Sequence, residues 1–295
     1  MNKLAIIIPA FKGLYFRDAL KSIANQTNKN FSLYIADDNS SENLKTIVDE
    51  FRSKINIVYK KFENNLGTSN IVSHWKRSID LTKNEEWFWL FSDDDLMPDD
   101  AVQRFFDFID KNPKAEVVRF DSKIIGKNSE IKSERQPHPP WESSQSFLSR
   151  RFAGTAYSFI VDHIFKKDLY QHKGGLVDFP AAWASDDATW ALFGKENGIF
   201  TIPGKPVLWR QSGINISSDQ TRYAKKKIDA SIEFLDFVKM QNFEIETKIQ
   251  IQWLLKQFNM INPNMILKWY FYSKIFAAKN LSQEFKWSIL RSIFR

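Results

Sequence analysis

Short apolar runs alternate along the first 120 residues with stretches in which apolar positions recur every three or four residues. The apolar runs predict five buried strands, at Leu4–Ile8, Phe31–Ala36, Ile55–Tyr59, Trp87–Phe91 and Glu116–Phe120. The stripes predict three helices between them, marked by Phe16/Ala19/Leu20/Ile23, Leu44/Ile47/Val48/Phe51 and Val102/Phe105/Phe106/Ile109. This alternation predicts an α/β fold with a mostly parallel sheet flanked by helices.

The pattern weakens after residue 120. Lys127–Ser146 is polar and contains three prolines, which predicts a mobile loop. Tyr157–Phe165 alternates like a strand, and Asp186–Lys195 has a helical pattern. After Ser218 the chain is predicted to be helical to its end, with a break at Asn262-Pro263.

Composition narrows the class of protein. Of 295 residues, 43% are hydrophobic and 26% charged, which is typical of a globular protein with a substantial core. The absence of cysteine excludes disulfides, thiolate nucleophiles, zinc–thiolate sites and iron–sulfur clusters. The four histidines follow no zinc-binding spacing, so a metal site built from histidine is not expected.

The net charge of +7 is carried by the C-terminal part of the chain. Residues 221–295 contain 13 Lys and Arg but only 6 Asp and Glu, whereas the first 220 residues are balanced. This excess predicts contact with something anionic. Lys225–Lys227 is interpreted as a solvated helix face, and no recognised motif indicates nucleic acid as a partner.

The last helix would be amphipathic. If it begins at Ser282, one side carries Phe285, Ile289, Leu290, Ile293 and Phe294, while the other side and its flanks carry Lys286, Arg291 and Arg295. Such a helix suits an anionic membrane surface. A helix packed on the rest of the protein with a solvated basic rim explains the pattern equally well.

The start of the chain does not read as a signal peptide. Lys3 precedes only five apolar residues, and Pro9 ends the run. No stretch approaches the ~20 apolar residues that span a bilayer. We expect a cytoplasmic protein. The basic tail could in addition attach it peripherally to the inner face of the cell membrane.

Acidic residues follow two of the predicted strands directly. Asp37-Asp38 comes after the second strand, and Asp93–Asp95 comes after Trp87–Phe91 and Ser92. Ligands of such sheets bind beyond the carboxyl ends of the strands. Three adjacent carboxylates repel one another unless solvent or a cation compensates them, and oxygen ligands suit manganese or magnesium. Helix capping explains Asp99-Asp100 well, but Asp93–Asp95 precede the helix.

Several motifs occur in an order that carries a family resemblance. They are IIIPAF (Ile6–Phe11), DDNS (Asp37–Ser40), NLGTSN (Asn65–Asn70), FSDDD (Phe91–Asp95) and, more thinly, SDDATW (Ser185–Trp190) and WRQSGINIS (Trp209–Ser217). In these motifs the chain resembles the inverting, nucleotide-sugar-dependent family 2 glycosyltransferases with the Rossmann-like GT-A fold. The resemblance implies a GT-A domain over 1–218, with a nucleotide-sugar half at about 1–120 and an acceptor half at about 121–218. A helical basic and aromatic appendage would follow at 219–295.

The resemblance also implies roles for individual residues. The residues that would contact the nucleotide-sugar are Pro9, Ala10, Phe11, Asp37, Asp38, Gly67 and Asp93. The carboxylates of Asp93, Asp94 and Asp95 correspond to the DxD element, which contacts ribose and a divalent metal. Ser92 stands where the family often has the first aspartate, so which of the three ligates metal stays open. Ser69 stands where the family often has arginine, so a cation that contacts the nucleotide has to come from elsewhere.

Sugar transfer needs a base that takes the proton of the acceptor hydroxyl. The family pattern maps this base onto Asp187, with Asp186 as its companion, although both could simply cap a helix. Asp162 is a fallback base, although a strand residue satisfied by a local hydrogen bond is the stronger interpretation. Arg210 could pair with the diphosphate, and a structural salt bridge is an equal alternative.

The family resemblance, together with the basic tail, implies a metal-dependent hexosyl- or N-acetylhexosaminyltransferase of surface polysaccharide synthesis. Its donor would be a nucleotide-diphosphate sugar, most simply a UDP-sugar, and its acceptor a hydroxyl of a glycan or lipid-linked oligosaccharide. A sugar-nucleotide nucleotidyltransferase is an alternative, but it needs a Gly- and Arg-rich phosphate loop, of which only Lys12-Gly13 is present. A non-catalytic nucleotide- or glycan-binding domain is the other alternative.

Overall fold

The centre of the protein is one mixed β-sheet. The computed structural model describes residues 3–133, 136–215, 218–219 and 221–293. Over these residues the sheet has nine strands, which are β1 (Leu4–Ala10), β2 (Phe31–Asp37), β3 (Ile57–Lys61), β4 (Trp87–Leu90), β5 (Val117–Ile125), β6 (Ile131–Ser133), β7 (Trp141–Glu142), β8 (His163–Lys166) and β9 (Ile199–Arg210). Their order is β3-β2-β1-β4-β8-β5-β9-β7, with β6 paired to β5.

The strands β3, β2, β1 and β4 are mutually parallel and form the half of the sheet that the sequence predicted. In their register Ala10 lies beside Asp37, and Ile7 beside Leu90. The carboxyl ends of β1, β2 and β4 therefore meet at one edge. Beyond β4 the sheet becomes mixed, because β8 lies antiparallel between β4 and β5.

Helices cover both faces of the sheet. In the described part of the chain they are α1 (Phe16–Ala24), α2 (Leu44–Asp49), α3 (Ile71–Ile79), α4 (Ala101–Lys111), α5 (Ser144–Ala153), α6 (Lys167–His172), α7 (Ser185–Phe193), α8 (Ala224–Met240), α9 (Thr247–Met260), α10 (Met265–Ala277) and α11 (Gln283–Ile293). The three predicted helical stripes correspond to α1, α2 and α4, and the predicted helix at 186–195 corresponds to α7. The predicted break at Asn262-Pro263 separates α9 from α10.

Two predictions for the middle of the chain were wrong in part. The segment 127–146 contains β6, β7 and the start of α5 rather than a loop throughout, although Glu134 and Arg135 lie outside the described residues. The predicted strand over 157–165 begins only at His163, after a short 3-10 turn at Ile160–Asp162.

The apolar core has two parts, one on each face of the sheet. Alternate residues of β1 separate them, because Ile6 packs with α1, α2 and α4 while Ile7 packs on the opposite face. The core of that opposite face continues without interruption into α8–α11, where Phe234 stacks on Phe152 and Trp253 contacts both rings. The C-terminal helices are thus part of the same core as the sheet.

The ends of the predicted C-terminal pattern lie outside the described residues. These are Phe294 and Arg295. Ile216 and Ser217, the last residues of the predicted motif that starts at Trp209, also lie outside the described residues. None of the described helices combines the length and the apolar composition that crossing a membrane requires.

Candidate functional site

The ends of β1, β2 and β4 are tied together by side chains of the predicted site. Asp93 accepts hydrogen bonds on Oδ2 from the backbone N–H groups of Phe11 and Lys12, both at 2.8 Å. The Ser40 hydroxyl donates to the carbonyl oxygen of Phe11 at 2.6 Å. Ala10 is buried, whereas the Phe11 side chain is 40% exposed and lines the open edge.

The two aspartates after β2, Asp37 and Asp38, fix the loops that border this edge through hydrogen bonds. Asp37 accepts from the backbone N–H of Ser40 at 2.7 Å and from the Tyr59 hydroxyl at 2.5 Å. Asp38 accepts from the backbone N–H groups of Leu66 at 2.9 Å and Gly67 at 2.7 Å. The structure therefore places Asp38 and Gly67, both predicted to contact the nucleotide, in direct contact with each other.

Gly67 is required here by a close approach. A Cβ atom at this position would lie 2.7 Å from Asp38 Oδ2. We expect Gly67→Ala to displace the Asp38 carboxylate, to weaken nucleotide binding and to lower the free energy of unfolding by about 1–3 kcal/mol. Urea unfolding and nucleotide titration measure the two effects.

Gly13→Ala is the matched control, because its Cβ would clash with the movable end of the exposed Glu42 side chain and would meet Leu44 Cδ2 at an ordinary contact distance of 3.4 Å. Equal losses of stability and affinity in the two variants would contradict this account of Gly67.

The carboxylates after β4 are buried and crowded. Burial and the neighbouring Asp94 raise the pKa of Asp93 to about 6 and the pKa of Asp95 well above its usual value. Lys12 and Arg210 are the cations near them, but Lys12 donates to the carbonyl oxygen of Ile214 at 3.0 Å. This is an arrangement that a bound cation would stabilise.

The three carboxylates are not equally available to such a cation. Asp95 is fully buried and accepts the backbone N–H of Arg210 at 2.6 Å. Asp94 accepts from the Ser92 hydroxyl at 2.7 Å, and more weakly from Ser212 and Asn215 at 3.3 and 3.4 Å. No three-residue cluster of His, Cys, Asp or Glu with the geometry of a closed metal site occurs among the residues described. A metal held at Asp93 and Asp94 would therefore need its other ligands from outside the protein.

Arg210 does not lie open to a diphosphate. Its side chain is fully buried, with the guanidinium 4.4 Å from the Tyr15 ring centroid. It donates from Nε to the carbonyl oxygen of Asp94 at 2.7 Å, and from Nη1 to that of Gly126 and to the Ser129 hydroxyl, both at 3.0 Å. Arg210 thus ties the loop after β4 to the β5–β6 turn, while its Nη2 is buried without a hydrogen-bond partner among the described residues. The structural role is present, and the diphosphate contact stays a prediction.

The second acidic pair lies at the start of α7. Arg151 donates to both oxygens of Asp187, from Nε at 2.7 Å and from Nη2 at 2.6 Å. Asp186 is partly exposed, and its Oδ1 accepts the backbone N–H of Asp187 at 2.9 Å. Burial and the charge of Asp187 raise the pKa of Asp186 to about 8. Asp187 is therefore the carboxylate of this pair that faces the Arg151 guanidinium.

The fallback base Asp162 is enclosed by protein. Its side chain is fully buried, and its oxygens contact His163 Nδ1 at 2.5 Å and the backbone N–H of Phe159 at 3.2 Å. Burial raises the pKa of Asp162 to about 8. The local hydrogen bonds expected as the alternative are present, and an acceptor substrate has no access to this carboxyl.

Contacts between distant segments join the two acidic sites, and sequence reasoning missed them. Asn70, which caps α3, donates to Asp178 at 2.9 Å and so connects the Gly67 loop to the segment that leads into α7. Lys226 of α8 donates to the carbonyl oxygen of Ser69 at 3.1 Å. An ammonium group thus lies beside the position where the family often has arginine.

The predicted solvated face at Lys225–Lys227 was wrong for Lys227. This residue is buried, with Nζ 4.6 Å from the Trp183 ring centroid and 2.9 Å from the carbonyl oxygen of Asp219. The capping signal of Asn70 was visible in the sequence, but no local signal indicates that α8 returns to the Gly67 loop.

Comparison with known proteins agrees with this geometry. The family model described as Glycosyl transferase family 2 matches residues 5–166. A Campylobacter jejuni protein named GalNAc(5)-diNAcBac-PP-undecaprenol beta-1,3-glucosyltransferase is 24% identical over 245 residues, which cover 76% of this chain and 70% of that protein.

Solved structures share the fold. Staphylococcus aureus TarS 1–349 in complex with UDP-GlcNAc aligns with a TM-score of 0.64 at 16% identity, over 92% of this chain and 79% of that one. The mannosyltransferase PcManGT from Pyrobaculum calidifontis, in complex with GDP-Man and Mn²⁺, aligns with a TM-score of 0.56 at 12% identity, over 98% and 79% of the two chains. The GT-A fold expected from the sequence is confirmed.

Proposed function

The chain belongs to glycosyl transferase family 2, and on that premise we propose that it transfers a hexosyl or N-acetylhexosaminyl group from a nucleoside-diphosphate sugar, most simply a UDP-sugar. The observation that carries the proposal is the edge at the ends of β1, β2 and β4. There the crowded carboxylates of Asp93 and Asp94 lie at the same edge of the sheet as the loop around Gly67. Asp38 fixes this loop by hydrogen bonds. The nucleoside would lie along Pro9–Phe11 and Asp37-Asp38.

Asp93 and Asp94 would hold a divalent ion, manganese or magnesium, while Asp95 keeps its bond to the backbone of Arg210. Such an ion, when bound, stabilises the charge that grows on the leaving diphosphate. Lys226 lies beside Ser69, where the family often has arginine, and is the cation that would contact a phosphate oxygen. Arg77 also lies near the Gly67 loop, but it is paired with Asp38.

Asp187 is proposed as the general base. The acceptor hydroxyl gives its proton to Asp187 while its oxygen bonds to the anomeric carbon, and the bond from that carbon to the diphosphate oxygen breaks. Attack from the side opposite the leaving group inverts the configuration. Arg151 positions the carboxylate through its two hydrogen bonds, and Asp186 stays neutral beside it.

The acceptor is proposed to be a hydroxyl of a glycan or lipid-linked oligosaccharide in surface polysaccharide synthesis. The name of the Campylobacter relative, which includes a polyprenyl-diphosphate-linked substrate, supports this choice. A cytoplasmic location at the inner face of the membrane would bring the enzyme to both substrates.

The raised pKa of Asp186 gives a test of this assignment through the pH dependence of the rate. A base must be deprotonated, so if Asp186 were the base, kcat/KM would fall tenfold for each pH unit below about 8. We expect instead that kcat/KM at pH 7 stays close to its value at pH 8, because the proposed base is Asp187 and not Asp186. Initial rates at saturating metal across this range decide between the two aspartates.

Calorimetric titration with UDP in the presence of Mn²⁺ is the experiment that tests the function as a whole. Saturable binding that EDTA removes, followed by transfer from UDP-sugars to glycan acceptors, is the expected result. Binding of another nucleoside diphosphate would change the donor but keep the enzyme class. Failure of every nucleotide to bind would contradict the proposal and favour a non-catalytic domain, while release of diphosphate from a nucleoside triphosphate and a sugar phosphate would indicate the nucleotidyltransferase.

A further inference from the structure

The side of α11 that the sequence assigned to a membrane is covered by protein. Phe285 and Ile289 are buried among the C-terminal helices. Lys286, expected on the solvated side, is buried as well and donates to the carbonyl oxygen of Phe276 at 3.1 Å. Within the described residues, α11 therefore uses its apolar side for packing, which was the alternative reading of its pattern.

The exposed apolar surface of this region belongs to α10. Its buried side carries Phe271 and Ile275. At 100° per residue the exposed side chains lie within an arc of about 120°, and they are Met265, Ile266, Trp269, Ser273, Phe276 and Ala277. All six are uncharged, and the first three are 65%, 71% and 66% exposed. We refer to these six residues as the α10 face.

Basic residues border the α10 face. Lys268 and Lys274 lie about 60° beyond its two edges on the helix, and Lys274 is paired with Asp229 of α8 at 3.0 Å. Trp287 of α11 extends the apolar surface, because its ring is 51% exposed and lies 5.8 Å from the Phe276 ring, centroid to centroid. From residue 247 to the end, the sequence has eight Lys and Arg against the single acid Glu284.

We propose that the α10 face is the surface by which this protein binds an anionic lipid bilayer, with α10 lying in the plane of the interface. Exposed tryptophans are the residues that occupy the boundary between headgroups and acyl chains. Lys268 would reach the anionic headgroups with its ammonium group while its methylene stem stays at the boundary. A protein partner of this basic region would need an apolar centre surrounded by acidic groups. An anionic bilayer has acidic headgroups and apolar acyl chains over its whole surface.

The proposal rests on α10 and not on the donor site, so the two can fail separately. The experiment is co-sedimentation of the full chain with vesicles of phosphatidylcholine alone and of phosphatidylcholine with phosphatidylglycerol in equal parts. We expect binding to the anionic vesicles that weakens at high salt. The double variant Ile266→Ser/Trp269→Ser should lower the partition coefficient by about tenfold or more.

Met240→Ser is the matched control, since Met240 is 71% exposed at the end of α8 and outside the α10 face. It should bind vesicles like the wild type. Thermal unfolding and nucleotide titration should be unchanged in both variants, which separates loss of lipid binding from loss of folding or of the donor site. Equal vesicle binding by the wild type and the double variant, or no binding by the wild type, would overturn the proposal. A wild-type dimer that the double variant converts to monomer would instead place a second copy of the chain on the α10 face.

Discussion

Asp187→Asn is expected to lower kcat for sugar transfer by about 10²–10⁴-fold, the range that a positioned general base contributes. The asparagine keeps the size of the side chain and one acceptor for Arg151, but it cannot take a proton from the acceptor hydroxyl. Because Asp187 lies at the start of α7 and not in the donor edge, the affinity for nucleotide should be unchanged. Initial rates and nucleotide titration of the same preparation measure both quantities.

Asp186→Asn is the matched control for this variant. Asp186 is neutral at pH 7, since its pKa is raised to about 8, so an amide in its place copies the form that is already present. We expect most of the activity to remain. A large loss in Asp186→Asn together with an active Asp187→Asn would reverse the roles that we assign to the two residues.

Asp94→Asn is expected to lower metal-dependent transfer by about 10²-fold or more, because a metal ion at a leaving diphosphate contributes several kcal/mol. Asn removes the charge of Asp94 and keeps an acceptor for the Ser92 hydroxyl. Its nucleotide affinity should no longer respond to Mn²⁺, whereas EDTA should abolish wild-type activity and added Mn²⁺ should restore it. Titrations with and without metal provide the measurement.

Asp99→Asn is the control for the loss of charge alone. Asp99 lies five residues further along, is exposed and pairs with Lys205 at 2.7 Å, so its removal should leave the metal response intact. If Asp94→Asn retained the metal response of the wild type, the metal would have to be held elsewhere.

Hydrophobic patterns in the sequence were informative for α4, which is amphipathic, and for β1 and β2, which are buried on both faces. The stripe of α4 and the apolar runs of β1 and β2 predicted their elements directly. The long strand β9 was missed because Pro203, Gly204 and Pro206 interrupt its pattern, and the structure accommodates them with a register shift against β5. Helix α3 was also missed, although Asn70 caps it through a hydrogen bond from the backbone N–H of Ser73.

Some residues of the candidate site could likewise be predicted from the sequence, and others could not. The carboxylates at the ends of β2 and β4 were found because their place follows from the topology of a parallel sheet. The partner of Asp187 could not be found, since Arg151 lies 36 residues away on α5 and nothing local links them. The structural role of Arg210 likewise depends on the β5–β6 turn, 84 residues earlier in the chain.

The continuous core between the sheet and α8–α11 has a consequence for how the enzyme would meet its substrates. Phe152 of α5 and Trp253 of α9 touch directly, so the catalytic edge and the α10 face belong to one body. If the α10 face binds a bilayer, the catalytic edge cannot rotate independently of it. The catalytic edge would then keep one orientation relative to the membrane. The protein would then meet a lipid-linked acceptor by diffusion in the two dimensions of the membrane, whereas the nucleotide-sugar would reach it by diffusion in three dimensions from solution.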